Sequence, residues 1–262
     1  MNNMSTNSGR KILDDRLKKG YTQYTPEIAA YWDAIIDWEK RRQGEGDFLI
    51  NILKRYKAEK ILDMSCGTGY DSVRLLEEGL KVKSCDGSLF MLIKARMNGE
   101  DHNVQLQARF ADWRRLKRAY KSERFDAVIC LGNSFCHLFD RLERVSVIKQ
   151  VYDLLKNDNG VFVIDQRNFD KVIKHGFSSE HKYVYCGTQF DTKVIEKKEG
   201  RLTMLDQFGK LKFIFDIYPI RFEGLRSLLI KAGFQVESYG DFSKNFSLET
   251  SDFFQHVCTK KV

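Results

Sequence analysis

Five short apolar runs punctuate the first part of the chain: KILDM (residues 60–64), LKVKSCD (80–86), VQLQARF (104–110), FDAVICL (125–131) and GVFVID (160–165). Between them, apolar residues recur every three or four positions, the period of an amphipathic helix. SVRLLEEG (72–79) sets Val73, Leu76 and Leu80 on one helical face, with Gly79 as a C-terminal stop. RLERVSVIKQVYDLLKNDNG (141–160) repeats the pattern with Leu142, Val145, Ile148, Val151 and Leu155. Strands alternating with helices predict an α/β, doubly wound fold around a parallel sheet.

The flanking segments read differently. Thr25-Pro26 is a helix N-cap followed by a first-turn proline, and EIAAYWDAIIDWEKRR (27–42) continues it as an aromatic-rich helix. After Asp165 the rhythm becomes that of hairpins over residues 183–218, with Glu199-Gly200 and Phe208-Gly209-Lys210 as turns. FEGLRSLLIKAGFQVESYGDF (222–242) and DFFQHVCTKK (252–261) predict a last helix and two closing strands. The expected organisation is an N-terminal tail and helical lid (1–55), a cofactor-binding core (56–168), an inserted antiparallel β lobe (169–220) and a closing part of the core (221–262).

Composition narrows this picture. With 262 residues, 42% of them hydrophobic, and only two prolines, the chain builds one large core, and disorder is expected only in the polar stretch MNNMSTNSGRK. No apolar run approaches the roughly 20 residues of a membrane helix, and the N-terminus lacks a signal-peptide core. The expectation is therefore a cytoplasmic protein with no membrane partner. The six cysteines show no CxxC pair or zinc spacing, so they read as core residues, with no metal site. A net charge of +8 admits polyanions, and WRRLKRAYKSER (113–124) is the densest basic run, although such runs are usually solvated faces.

The candidate chemistry starts at KILDMSCGTGYDS (60–72), where an apolar strand ends at Asp63 and passes through Gly67 and Gly69. Glycines there let a ligand approach the backbone at the carboxyl edge of the sheet. A dinucleotide loop would add a third glycine, but the position holds Ser72. The carboxylate of Asp63 would oppose a pyrophosphate and suit a ligand bearing an ammonium and a sulfonium, a description of S-adenosylmethionine. Asp86, 19 residues after Gly67, ends the second strand, where an acid accepts from ribose hydroxyls. The plainer alternative makes Asp63 a turn cap and Asp86 a loop acid.

These segments, with CDGS, ADW (111–113), FDAVICLGNSFCHL, VIDQRNFD, IYP and YGDF, resemble the glycine N-methyltransferase and glycine/sarcosine N-methyltransferase family of class I methyltransferases, from about Tyr24 onward. The resemblance implies a Rossmann-like sheet and S-adenosylmethionine as cofactor. It implies that Ser65, Gly67 and Asp86 hold the methionine and ribose ends, that Asp112 and Trp113 bracket the adenine, and that Leu131 supplies backbone contact. Tyr24, Trp32 and Arg41 match an N-terminal segment that closes over the cofactor. Ser65 departs from a common alanine, and a lid tyrosine of the animal enzymes has no match near Ile35. The implied substrates are glycine and sarcosine, methylated toward betaine.

Methyl transfer from a sulfonium needs alignment and a neutral amine. Arg167 suits a bidentate clamp on the substrate carboxylate, and Asn133 an acceptor for the amine, making these two the candidate catalytic residues. Both match substrate positions of the family, as does Tyr218. The plainer readings are an ion-pair partner, a turn residue and a packing ring. His137 tempts assignment as a base, but an amine can lose its proton to water before binding, so packing or a structural hydrogen bond fits it better. A nucleic-acid methyltransferase is the rival from another class, although Asn133-Ser134-Phe135-Cys136 lacks the prolines of base-methylating enzymes. A non-catalytic cofactor-binding regulator and a sarcosine/dimethylglycine methyltransferase are further alternatives. The expected partners are small amino acids and not nucleic acid, with a monomer favoured over an oligomer.

Overall fold

In the computed structural model, which describes residues 23–177 and 183–260, the chain opens with helices α1 (Pro26–Ile36), α2 (Trp38–Glu45) and α3 (Phe48–Arg55). The stretch MNNMSTNSGRK lies outside the described residues. Thr25 caps α1 as expected, its hydroxyl accepting from the Ile28 N–H at 3.3 Å. The single predicted helix is broken at Asp37, which takes a left-handed conformation (φ 53°) and caps α2 through the Lys40 N–H. Aspartate tolerates that region because its short side chain bonds locally.

The core follows as β1 (Lys60–Asp63), α4 (Tyr70–Glu77), β2 (Lys81–Asp86), α5 (Leu89–Asp101), β3 (Gln107–Phe110), the short α6 (Leu116–Ala119), β4 (Ala127–Cys130), α7 (Arg141–Leu154) and β5 (Val161–Arg167). Beyond α8 (Phe169–His175), the strands β6 (Phe190–Lys198), β7 (Arg201–Phe208) and β8 (Leu211–Ile217) form a separate antiparallel sheet. The chain then returns as α9 (Phe222–Lys231), β9 (Phe234–Gly240) and β10 (Phe253–Lys260).

The seven-stranded sheet has the order β3-β2-β1-β4-β5-β10-β9. The first five strands are parallel, and β10 slots antiparallel between β5 and β9. Successive residues of a strand point to opposite faces, and the two faces feed separate cores. Ile61, Ile129, Val161 and Val163 pack with Leu53 of α3 and Leu75 of α4. Leu62, Val128, Phe162 and Ile164 pack with Val151 of α7 and Leu225 of α9. Helices on both faces explain why β5 is buried along its whole length.

Two helical faces differ from the predicted ones. In α7 the buried residues are Val147, Ile148, Val151 and Leu154, while Leu142 and Val145 are 76% and 42% exposed. Asp140 caps this helix at the Leu142 and Glu143 N–H groups, and the phase so fixed turns Arg144 inward, where it donates to the Leu138 and Phe139 carbonyls. In α4 the buried side is Val73 and Leu75, and Leu80 lies past the helix end, after Gly79 has taken a positive φ of 80°.

The hairpin turns fall where expected, with Gly200 and Gly209 both at positive φ. The lobe's inner face, including Phe190, Leu202, Met204, Phe215 and Ile217, packs with Ile28 and Ile35 of α1. All six cysteines are buried and none forms a disulfide. Among the described residues, no helix is long and apolar enough to cross a membrane.

The lobe is also tethered to α1 by backbone: the Cys186 N–H donates to the Ile36 carbonyl and the Gly187 N–H to that of Ile35. A Cβ on Gly187 would sit 2.3 Å from the Ala34 carbonyl oxygen, an atom with little room to move. Gly187→Ala is therefore expected to lower the thermal midpoint by an amount corresponding to about 1–3 kcal/mol. Gly224→Ala, in α9 with its nearest contact at 3.8 Å, should be neutral or stabilising in the same thermal melt.

Candidate active site

The strand order reverses between β1 and β4, and the loops leaving their carboxyl ends diverge there into a crevice, the usual ligand position in this kind of sheet. A cavity of about 910 Å³, counting its open mouth, lies over the glycine loop. Gly67 (φ 53°) and Gly69 (φ 99°) give the loop conformations that side chains disfavour. The Gly67 N–H donates to Asp86 Oδ2 at 2.9 Å and the Ser88 N–H to Asp86 Oδ1 at 2.8 Å, so the carboxylate is oriented before any ligand arrives. Burial raises the Asp86 carboxyl above its ordinary range while these two donors oppose the shift.

Asp63 does not stand on the cavity wall. It lies beneath the loop, accepting from the Ser65 N–H at 3.1 Å and the Ser72 hydroxyl at 2.6 Å, and burial followed by the Asp71 charge pushes its carboxyl up to about 7. The carboxylates on the wall are Asp71 and Asp86. Ser72, which occupies the third-glycine position, thus acts as an internal partner of Asp63.

Most of the predicted cofactor residues meet at this cavity: Tyr24, Trp32, Arg41, Ser65, Gly67, Asp86, Trp113 and Leu131 all line it. Ser65 spans the crevice, its hydroxyl accepting from the Leu131 N–H at 3.2 Å. Arg41 is buried against the Tyr70 ring and bonded to Glu45 at 2.6 Å and Asp71 at 3.1 Å. Burial opposes its charge, but these carboxylates hold it firmly protonated. Trp113 donates its indole N–H to the Met64 carbonyl and stacks on Phe135, presenting a fixed aromatic surface. Asp112 is absent from the wall. Its carboxylate caps the short helical turn by accepting from the Arg114 N–H, and it also pairs with the Arg114 side chain.

A second chamber of about 480 Å³ adjoins the first, and Tyr24, Trp32 and His137 line both. The Tyr24 hydroxyl and His137 Nε2 are hydrogen-bonded at 2.8 Å. Burial pushes the imidazole down to about 4, so His137 is neutral near pH 7 and serves as the structural partner of Tyr24.

Asn133 and Arg167 both reach this chamber. Asn133 takes a left-handed conformation (φ 61°), its N–H donates to Asp165 Oδ1 at 2.6 Å, and the neighbouring Gly132 N–H donates to Asp165 Oδ2 at 2.9 Å. The Arg167 N–H in turn donates to Asn133 Oδ1 at 2.9 Å. The Arg167 guanidinium lies among rings, 4.4 Å from the Phe177 centroid, 4.5 Å from Phe253 and 5.5 Å from Tyr185. It has no hydrogen bond or ion pair to any described residue, and burial lowers its proton affinity.

Tyr218 is not brought to the chamber. Ile217 uses the inward direction at the end of β8, and the Tyr218 ring lies instead over Arg144, whose guanidinium carbon is 3.8 Å from its centroid. Sequence reasoning missed four residues that shape the site: Asp71, Asp165, Tyr185 and Asp206. Asp165 had a legible signal, an acid inside the otherwise apolar strand VFVID. So did Asp206, which shares a strand face with Leu202 and Met204.

A family model described as a methyltransferase domain matches residues 61–158. The glycine/sarcosine N-methyltransferase of Halorhodospira halochloris is 40% identical over 92% of this chain and 90% of its own length. The glycine/sarcosine/dimethylglycine N-methyltransferase of Actinopolyspora halophila is 42% identical over 91% of this chain, which spans only 42% of that longer protein. Among solved structures, an S-adenosylmethionine-dependent methyltransferase from Clostridium acetobutylicum shares the fold, with a TM-score of 0.68, 17% identity, and 90% of this chain and 98% of that one covered. The glycine loop, the oriented acid at the end of β2 and the relatives at this level of identity agree: the chain belongs to the glycine/sarcosine N-methyltransferase family.

Proposed function

We propose that this chain transfers methyl groups from S-adenosylmethionine to the amino nitrogen of glycine and then of sarcosine. The observation that carries the proposal is Arg167, a buried guanidinium with no anionic partner among the described residues, opening on a small chamber beside the glycine-loop cavity. A buried charge without a partner costs several kcal/mol, and a substrate carboxylate removes that cost on binding. The surrounding rings fix the plane of the guanidinium, so a bidentate contact also orients the amino acid. The relatives named for glycine and sarcosine support the same choice.

The residues at the glycine loop fit the methyl donor. Asp86 has acceptor capacity left for two ribose hydroxyls, Trp113 and Leu131 offer surfaces for an adenine, and Asp71 and Asp86 bring negative charge to a cavity suited to a cationic ligand. When bound, the donor supplies a methyl group on a sulfonium, whose departure leaves a neutral thioether. The protein's part is alignment, which contributes up to about 7–11 kcal/mol in the most favourable cases. Tyr24 and Trp32, lining both cavities, would exclude water from the path between them. The products, sarcosine and dimethylglycine, lie on the route from glycine to betaine.

The basic run at 113–124 lends little to a nucleic-acid reading, because Arg114 pairs with Glu143 and Lys117 with Asp153. Incubation with labelled S-adenosylmethionine and glycine, sarcosine, dimethylglycine or an RNA pool, each alone, is expected to label the first two. Labelled RNA with silent amines would overturn the proposal.

Arg167→Ala should lower kcat/KM for glycine by about 100-fold, the worth of a charge-assisted pair of hydrogen bonds. Calorimetry should find its S-adenosylmethionine affinity within about threefold of wild type, since the missing contact belongs to the other cavity. Asp86→Ala should instead weaken the methyl donor by about tenfold or more. Equal loss of donor affinity in both variants would contradict the assignment.

Tyr218→Phe is expected to leave the glycine KM unchanged, because the Tyr218 ring belongs to Arg144. Tyr185→Leu, which removes one of the rings around Arg167, should raise the same steady-state KM about three- to tenfold.

A further inference from the structure

Facing Arg167 from the lobe is an acid that the proposed chemistry has not used. Asp206 stands on the inner face of β7, where strand register sets it opposite Thr192 of β6 and Phe213 of β8. The Thr192 hydroxyl donates to Asp206 Oδ1. Oδ2 has no hydrogen bond to any described residue, and Asp206 lines the chamber. Arg167 and Asp206 act on each other electrostatically, yet no ion pair joins them. Among the described residues, the chamber therefore holds one positive and one negative group, each with an edge to spare. A small amino acid carries the complementary pair, a carboxylate for Arg167 and an amino group for Asp206.

We infer that Asp206 selects the acceptor by its N–H bonds, holding the amino nitrogen of glycine and sarcosine and stopping methylation at dimethylglycine. The inference rests on the proposed transfer to glycine and sarcosine. In the reactive neutral amine, the lone pair points at the methyl group to be transferred and the other substituents point away from it. Glycine then has two N–H bonds to offer a carboxylate, and sarcosine has one. Dimethylglycine has none and would press methyl groups against an anion that is already poorly hydrated.

The group transfer balances without another reagent. The N–C bond forms from the nitrogen lone pair, the S–C bond breaks with its electrons kept by sulfur, and the positive charge passes to nitrogen. A carboxylate beside that nitrogen stabilises the charge as it develops. The product ammonium releases one proton to solvent before another round. Asn133 is less suited to this task, because its Oδ1 already accepts from the Arg167 N–H.

The test compares wild type with Asp206→Ala and Asp206→Asn. In the asparagine variant the Thr192 hydroxyl would keep the amide oxygen and leave the NH2 facing the chamber, a donor where an acceptor is needed. Both variants should lower kcat/KM for glycine and sarcosine by about tenfold or more, the worth of one charge-assisted hydrogen bond. Dimethylglycine turnover should hold or rise, so the preference for sarcosine over dimethylglycine collapses by about the same factor.

Calorimetry on the protein saturated with S-adenosylhomocysteine gives a reading independent of turnover. Wild type should bind glycine more tightly than acetate, and Asp206→Ala should bind the two alike, with acetate affinity unchanged because Arg167 remains. Unchanged S-adenosylhomocysteine affinity in both variants would show that the fold is intact. An unaltered sarcosine preference in Asp206→Ala, or a wild type that methylates dimethylglycine as well as sarcosine, would overturn this inference alone. A wild type silent on all three amines would overturn the proposed function and this inference with it.

Discussion

The site hangs on the carboxylate of Asp165. From inside β5 it takes the N–H groups of Gly132 and Asn133, and so fixes the turn that follows β4. That turn carries Leu131 to one cavity and Asn133 to the other. Asn133 returns a bond to β5 by accepting the Arg167 N–H, which makes the two strand ends a cross-braced unit. Burial pushes the Asp165 carboxyl up to about 6, while its two backbone donors favour the ionised form. The brace therefore combines the cost of a buried anion with the directionality of charge-assisted hydrogen bonds.

The electrostatics of the two cavities differ in kind. Around the glycine loop, Asp71 and Asp86 line the wall, and the two guanidiniums there are neutralised, Arg41 by Glu45 and Asp71 and Arg114 by Asp112 and Glu143. In the second chamber one cation and one anion among the described residues face each other without joining, among aromatic rings. The first arrangement suits a cationic ligand and the second a zwitterion. Between them, the Tyr24 hydroxyl and a neutral His137 form a partition that adds no charge of its own.

Much of this was legible in the sequence, for reasons that can be named. Parallel strands buried on both faces are continuous apolar runs, so β1, β4 and β5 stood out. Glycine, threonine and proline marked turns and caps because their backbone preferences are local. The helical phase of α7 was not local: the cap at Asp140 and the burial of Arg144 decided which side faced inward. Tyr218 failed for a similar reason, since strand alternation and the stacking partner Arg144 govern its direction. Asp112 looked like a cavity residue beside Trp113, but it was already engaged as a cap. The acid on the lobe was visible as a polar residue on an apolar strand face, although only the tertiary fold brings that face opposite Arg167.

Among the described residues, the lobe shares no strand pairing with the seven-stranded sheet, and it supplies Asp206, Thr192 and Phe215 to the second chamber while none of its strand residues line the first. On the proposed reading the seven-stranded sheet carries the methyl-donor site and, through Arg167 on β5, the clamp for the acceptor's carboxylate, while the three-stranded sheet carries the contact to its amino group. The parallel sheet can be held constant while the three-stranded one drifts, lengthens or is exchanged for another. In an engineer's terms the molecule is a fixed motor with a replaceable tool head.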